Sequence, residues 1–177
     1  ARPRRVLELR YVAAELQERR GRTERQAQVR VAIRARVATG PRAEERGAGL
    51  AAFNGRRVYC LDGDGAAIMH LGSLALAAKA GPENLVHIVL NNGAHDSVGG
   101  QPTVGYGLDF RAVAAALGYK RALRADTADQ LKAALAELAG AAGPVFLELR
   151  VRGGARKDLG RPATSPAQNK AAFMEAL

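Results

Sequence analysis

Beyond residue 55 the chain alternates short β-prone runs with helical runs, and that alternation restricts the folds open to it. The β-prone runs are residues 57–62 (RVYCLD), 85–90 (LVHIVL), 119–125 (YKRALRA) and 144–151 (PVFLELRV). Between them, residues 66–80, 109–118 and 127–140 carry Ala- and Leu-rich helical patterns. Gly81-Pro82, Gly118 and Gly140 stop these helices, while Asp109 and Thr127 are candidate N-caps. LVHIVL is nearly all apolar, as in a parallel strand covered on both faces. Alternating strands and helices with short links predict an α/β fold, an open and mostly parallel sheet with helices on both faces.

The first fifty residues read differently. They hold thirteen Arg against six Glu, a net +7, whereas residues 51–177 contribute +3 of the total +10. The domain division expected is an Arg-rich, partly helical segment over 1–50 and an α/β domain over 51–177. Leu7, Tyr11, Val12 and Leu16 recur at helical spacing, and a strand is expected around 29–37. The basic excess is not interleaved with aromatics, and no zinc-finger or RNP-like motif accompanies it. A solvated segment is therefore expected, with no nucleic-acid partner. No apolar run reaches eighteen residues, so no membrane partner is expected. The start of the chain lacks the apolar centre of a secretory signal. The single cysteine, Cys60, sits in an apolar run and reads as core, as does Met69. A cytoplasmic location is the simplest expectation.

Two polar clusters follow β-prone runs: Gly63-Asp64-Gly65 and Asn91-Asn92, with twenty-five residues between Gly65 and Asn91. Ligands in open α/β sheets bind at the carboxyl ends of strands, where both clusters fall. Asp64 offers a hard oxygen, Asn92 an amide oxygen, a nearby loop carbonyl a third, and the glycines let a phosphate approach the backbone. Few carboxylates combined with diphosphate oxygens suit octahedral Mg²⁺. Singly, each cluster is an ordinary turn signal.

Taken together, the Gly-Asp-Gly, the spacing and the Asn-Asn resemble the signature of thiamine-diphosphate enzymes. That resemblance implies thiamine diphosphate and Mg²⁺ as cofactors and a thiamine-diphosphate-binding fold of the pyrophosphate-domain type. It implies Mg²⁺ ligation by Asp64, the Asn92 side chain and the Ala94 carbonyl, with Gly63, Gly65 and Ala66 along the diphosphate. The segments GDGAAIMHLGSLA, NLVHIVLNNGAHDSVGGQPTVG and RKDLGRPATSPAQNKAAFM look like the C-terminal half of the phosphonopyruvate decarboxylase family. By that resemblance the reaction converts phosphonopyruvate to phosphonoacetaldehyde and CO₂ on a small anionic 2-oxo acid substrate. The related sulfopyruvate decarboxylases share both clusters, though His95-Asp96 looks more like the phosphonate branch.

The resemblance leaves a component outside this sequence. Such enzymes use a glutamate from a pyrimidine-binding domain, and none of Glu8, Glu15, Glu18 or Glu24 matches its context. A pyrimidine-binding domain or alpha-type subunit is thus the expected partner, in an oligomer. His95 reads either as an acid–base group or as a loop histidine bonded to backbone. Asp96, Ser97 and Gln101 read either as substrate contacts or as loop-shaping residues. His87 reads as a satisfied core histidine, and Arg156, Lys157 and Arg161 as solvated charges or as contacts to an anionic substrate. The rival readings are a beta-type subunit of a sulfopyruvate-like decarboxylase and a non-catalytic cofactor-binding fragment.

Overall fold

The structure, a computed structural model, describes residues 12–20, 23–31, 36–39, 57–154 and 163–176. Strands β1 (Val12–Arg20) and β2 (Thr23–Val31) pair antiparallel, with Val12 opposite Val31 and Arg20 opposite Thr23. Over residues 12–16 this hairpin corrects the helix expected around Leu7–Leu16, whose first part lies outside the described residues. Val12, Ala14 and Leu16, like Ala27, Val29 and Val31, also fall at every second position. The antiparallel pairing runs the full length of both strands, so the period of two prevails over helical spacing. Of the strand expected over 29–37, residues 29–31 lie in β2 and 36–37 in β3 (Arg36–Thr39), while 32–35 lie outside the described residues.

From residue 57 the expected alternation is present. β4 (Val58–Gly63) leads into α1 (Asp64–Met69) and α2 (Leu71–Ala80), followed by β5 (Leu85–Asn91). A loop carrying the short pair β6 (Ala94–His95) and β7 (Gln101–Pro102) leads to α3 (Phe110–Leu117). β8 (Arg121–Ala125), α4 (Ala128–Ala139), β9 (Val145–Arg150) and α5 (Pro166–Ala176) complete the order. Asp109 caps α3 by accepting from the Ala112 N–H, and Thr127 caps α4 by accepting from Gln130. Gly81 and Gly118 end α2 and α3 in the left-handed conformation. The single helix expected over 66–80 is broken at His70, whose φ of −120° and ψ of 37° leave the helical region. Gly72-Ser73 follows at once, so helix propensity is weak there. Met69, beside the break, is 63% exposed rather than core.

Five strands form one parallel sheet in spatial order β3-β4-β5-β9-β8. Successive side chains point to opposite faces. One face carries Leu61, Val86, Ile88, Val145, Leu147 and Leu149 against Leu131, Ala134 and Leu138 of α4. The other carries Val89 and Phe146 against Ala67, Leu74, Phe110 and Ala114 of α1, α2 and α3. Each large apolar side chain buried this way contributes about 1.5–3 kcal/mol. Cys60 is fully buried, clustered with Val58, Ala77 and Leu85. Arg57 fastens α4 to the sheet by donating to the carbonyls of Leu138, Ala139 and Ala141, where a cation favours a helix C-terminus. No helix among the described residues is long and apolar enough to cross a membrane.

The sheet register also sets out a polar row. Asp62 stands opposite Val89, Val89 opposite Glu148, and Glu148 opposite Arg124. Asp62, His87, Asn91 and Glu148 are all buried, at alternate positions leading toward the carboxyl ends of the central strands.

Candidate functional site

Parallel pairing of β4 with β5 places Gly63 opposite Leu90, so the residues that follow, Asp64 and Asn91, emerge at one sheet edge. Asp64 is 1% exposed. Its Oδ1 accepts from the backbone N–H of Asn92 at 3.4 Å, and its Oδ2 accepts from the Thr103 hydroxyl. Thr103 Oγ1 itself accepts from the Gly105 N–H at 3.0 Å, which ties the hydroxyl between the loop backbone and Asp64. Asp64 enters no ion pair among the described residues. A buried carboxylate of this kind calls for a cation.

The two asparagines divide their work. Asn91 is fully buried. Its Nδ2 donates to the Gly105 carbonyl at 2.8 Å and to Glu148 Oε1 at 2.7 Å, while its Oδ1 accepts from the Gly93 N–H at 3.2 Å. Asn92 is half-buried; its Nδ2 donates to Asp96 Oδ2 at 2.8 Å and its Oδ1 accepts from the Ala94 N–H at 3.0 Å. Asn91 thus anchors the loop, and Asn92 lies beside Asp64 with a carbonyl lone pair to spare.

The loop over residues 93–108 folds back across this edge. Thr103 N–H donates to the Gly93 carbonyl at 2.8 Å. Gly105 is buried so closely that a Cβ there would meet Asp64 Oδ2 and, at 2.7 Å, Asn91 Oδ1. Gly93 has φ +70°, and a Cβ there would meet Tyr106 Cε2 at 2.7 Å. Tyr106 lies under the Arg150 guanidinium, 5.0 Å from its ring centre, and donates to the Val151 carbonyl at 3.1 Å. Burial pushes the Tyr106 hydroxyl above its usual range, the Arg150 charge opposes this, and Asp64 and Asp96 reinforce it. Arg150 also donates to the Tyr106 carbonyl at 3.0 Å and to Glu148 Oε1 at 3.3 Å.

Of the residues singled out in the sequence, Asp64, Gly65, Asn92, Ala94 and His95 come together. The His95 ring, through Nδ1 and Cε1, occupies the space that a Cβ on Gly65 would take, so this glycine is needed for contact. Gly63 is exposed and Ala66 half-buried at the start of α1. Gln101 pairs with His95 across β6 and β7, and Ser97 is exposed on the turn between them. Asp96 accepts from Asn92 and, at 2.6 Å, from the Gly154 N–H. His87 is fully buried and bonds Tyr119 through Nδ1 at 3.0 Å. It is only half satisfied, for its Nε2 faces Asp62 Oδ2 at 3.8 Å and neither atom has a hydrogen-bond partner among the described residues. Arg156, Lys157 and Arg161 lie outside the described residues.

Thr103, Gly105, Tyr106 and Glu148 were not singled out as site residues from sequence, and Asn91 entered only as part of the Asn-Asn cluster. The Gly-rich run GGQPTVGYG was the available signal, since glycines cluster where backbone must approach another group closely. No group of three or more His, Cys, Asp or Glu side chains gathers among the described residues. A divalent cation beside Asp64 would thus complete its shell with ligand oxygens, which suits Mg²⁺ and a diphosphate.

A parallel sheet with helices on both faces and an acid–amide pair at its carboxyl edge defines a diphosphate-binding α/β domain. Residues 45–149 match the family described as thiamine pyrophosphate enzyme, C-terminal TPP binding domain, and the chain belongs to that family. Among particular proteins, it is 44% identical over 129 residues to phosphonopyruvate decarboxylase of Streptomyces hygroscopicus, covering 73% of this chain and 32% of the relative. It is 45% identical over 122 residues to phosphonopyruvate decarboxylase of Streptomyces viridochromogenes, covering 69% of this chain and 31% of that relative. The chain therefore spans about a third of the length of these relatives. It is 37% identical over 108 residues to the sulfopyruvate decarboxylase beta subunit of Methanothermobacter thermautotrophicus, covering 61% of this chain and 56% of the relative. A solved thiamine diphosphate-dependent 4-hydroxybenzoylformate decarboxylase of Rhodococcus jostii RHA1 shares the fold, with TM-score 0.52 and 24% identity over 61% of this chain and 22% of that one.

Proposed function

We propose that this chain is the thiamine-diphosphate-binding part of a 2-oxo acid decarboxylase that converts phosphonopyruvate to phosphonoacetaldehyde and CO₂. The observation that carries the reading is the buried Asp64, set beside Asn92 by adjacent parallel strands and locked there by Thr103. Asp64, the Asn92 Oδ1 and the Ala94 carbonyl would hold Mg²⁺, with Gly63, Gly65 and Ala66 along the diphosphate. When bound, thiamine diphosphate supplies the electron sink for carbon–carbon cleavage. His95, packed on Gly65, would hold or move a proton beside the bound cofactor. Ser97 and Gln101, exposed on the same loop, are available to the phosphonate or carboxylate of the substrate. The glutamate that activates the cofactor would come from a pyrimidine-binding domain or an alpha-type partner chain.

A beta-type subunit of a sulfopyruvate decarboxylase is the second reading. It is favoured by the match to a beta subunit, of which this chain covers 56%. Calorimetry with thiamine diphosphate and Mg²⁺ tests the central claim: binding should require Mg²⁺ and be lost in Asp64→Ala. If the native chain shows no Mg²⁺-dependent binding, alone or with a pyrimidine-domain partner, the proposal fails. Decarboxylation of phosphonopyruvate against sulfopyruvate in the reconstituted enzyme then separates the two readings.

A further inference from the structure

We infer that Asp96 is a positioning residue, whose carboxylate fixes which end of the Asn92 amide is presented to the cation. This rests on the reading of Asn92 as a metal ligand. An amide side chain has a donor end and an acceptor end of nearly equal size, and only the oxygen ligates a cation. Rotating the group by half a turn costs little unless its neighbours distinguish N from O. Here two neighbours do. Asp96 Oδ2 stands 2.8 Å from Asn92 Nδ2, and an ionised carboxylate, which only accepts, repels an amide oxygen in that place. On the other side the Ala94 N–H stands 3.0 Å from Oδ1, and a backbone donor repels an amide NH₂ there. Both contacts select the orientation that leaves one lone pair of Oδ1 for metal.

Asp96 can serve as a fixed reference because it is itself anchored. The same Oδ2 accepts from the Gly154 N–H at 2.6 Å, a residue 58 positions further along the chain. The carboxylate therefore joins the loop after β5 to the segment after β9, although the side chain lies in an exposed stretch. It also carries the wrong charge to receive a phosphonate or a carboxylate directly. Acting through Asn92 removes that conflict, since the acceptor then orients a ligand and meets no substrate anion.

The test uses the purified chain with its cofactor, and Mn²⁺ as a paramagnetic probe of the cation site. Asp96→Ala should weaken Mn²⁺ binding by about ten- to a hundredfold. Asp96→Asn keeps an acceptor oxygen for both N–H groups, so its affinity should stay within about threefold of the native chain. The Asn92 side-chain amide resonance, assigned by its loss in Asn92→Ala, should shift in metal-free Asp96→Ala and hold in Asp96→Asn. If Asp64→Ala and Asn92→Ala abolish Mn²⁺ binding while Asp96→Ala leaves it unchanged, the inference is wrong and the metal site stands. If neither Asp64→Ala nor Asn92→Ala affects Mn²⁺ binding, the metal reading itself falls and this inference with it. A rise in substrate KM for Asp96→Ala at unchanged cation affinity would return Asp96 to substrate contact.

Discussion

Asn91 and Asn92 are neighbours of one residue type, yet replacing each by alanine should produce opposite phenotypes. Asn91→Ala removes three hydrogen bonds from a fully buried position: to the Gly105 carbonyl, to Glu148 Oε1 and from the Gly93 N–H. The two neutral bonds contribute about 1 kcal/mol each, and the bond to a carboxylate about 1.5–3 kcal/mol. Glu148 is itself fully buried, and its Oε2 has no partner among the described residues. Losing Asn91 would leave Arg150 as the remaining donor to Oε1. The cost should therefore be about 3–5 kcal/mol. With a urea m-value near 2 kcal/mol/M, the unfolding midpoint should fall by roughly 1.5–2.5 M. Asn92→Ala loses bonds that water replaces in a half-buried place, so it should cost about 1 kcal/mol or less while removing cation affinity. Urea unfolding followed by circular dichroism measures both. An Asn91→Ala variant within about 1 kcal/mol of the native chain, or an equally costly Asn92→Ala, would refute the division of labour between the two amides.

Gly105→Ala puts a methyl against Asp64 and Asn91, so it should destabilise by about 1–3 kcal/mol and weaken Mg²⁺-dependent cofactor binding more than tenfold; unchanged calorimetry would exclude the close approach. Asp109→Ala should cost about 1 kcal/mol through loss of the α3 cap. The Asp109 carboxyl is held below its ordinary value chiefly by the Ala112 N–H. Its contribution is thus complete above about pH 3.9 and lost as pH falls through the lower folded value, so native and variant stabilities should converge in acid. Tyr106, its hydroxyl raised mainly by burial, should titrate above the ordinary tyrosine value when tyrosinate absorbance is compared between the native chain and Tyr106→Phe. Its neutral form is the one the fold favours, so its contribution is present below about pH 10 and fades above it. Arg150→Ala should push that titration higher still, and a downward move would contradict the placement of the guanidinium over the ring.

The α/β layer was legible because its signals are local. Asp109, Thr127, Gly81 and Gly118 sit where capping chemistry requires them, and LVHIVL has the composition of a strand buried on both faces. The hairpin of β1 and β2 was not, because Val12 and Leu16 satisfy helical spacing and strand alternation together, and only long-range pairing decides between them. The break at His70 has no proline to announce it, so Met69 reads as core in the sequence although it is exposed. At the site, Asp64 and Asn92 could be read from spacing because their strands are adjacent and parallel. For Thr103 and Gly105 the Gly-rich run signals a close approach but not its target, since nothing local says that residues 93–108 return to the sheet edge they left.

The position of β9 has a consequence for how the chain is made. Of the five sheet strands it emerges last from the ribosome, yet it lies between β5 and β8 and pairs with both. Until Val145–Arg150 arrives, β8 has no sheet partner among the described residues, and β5 presents an open, nearly all-apolar edge. Such an edge is a template for pairing with another nascent chain. Translation pauses or truncations upstream of residue 145 should therefore favour aggregation over a smaller folded product, since the strand that seals the centre of the sheet is still missing.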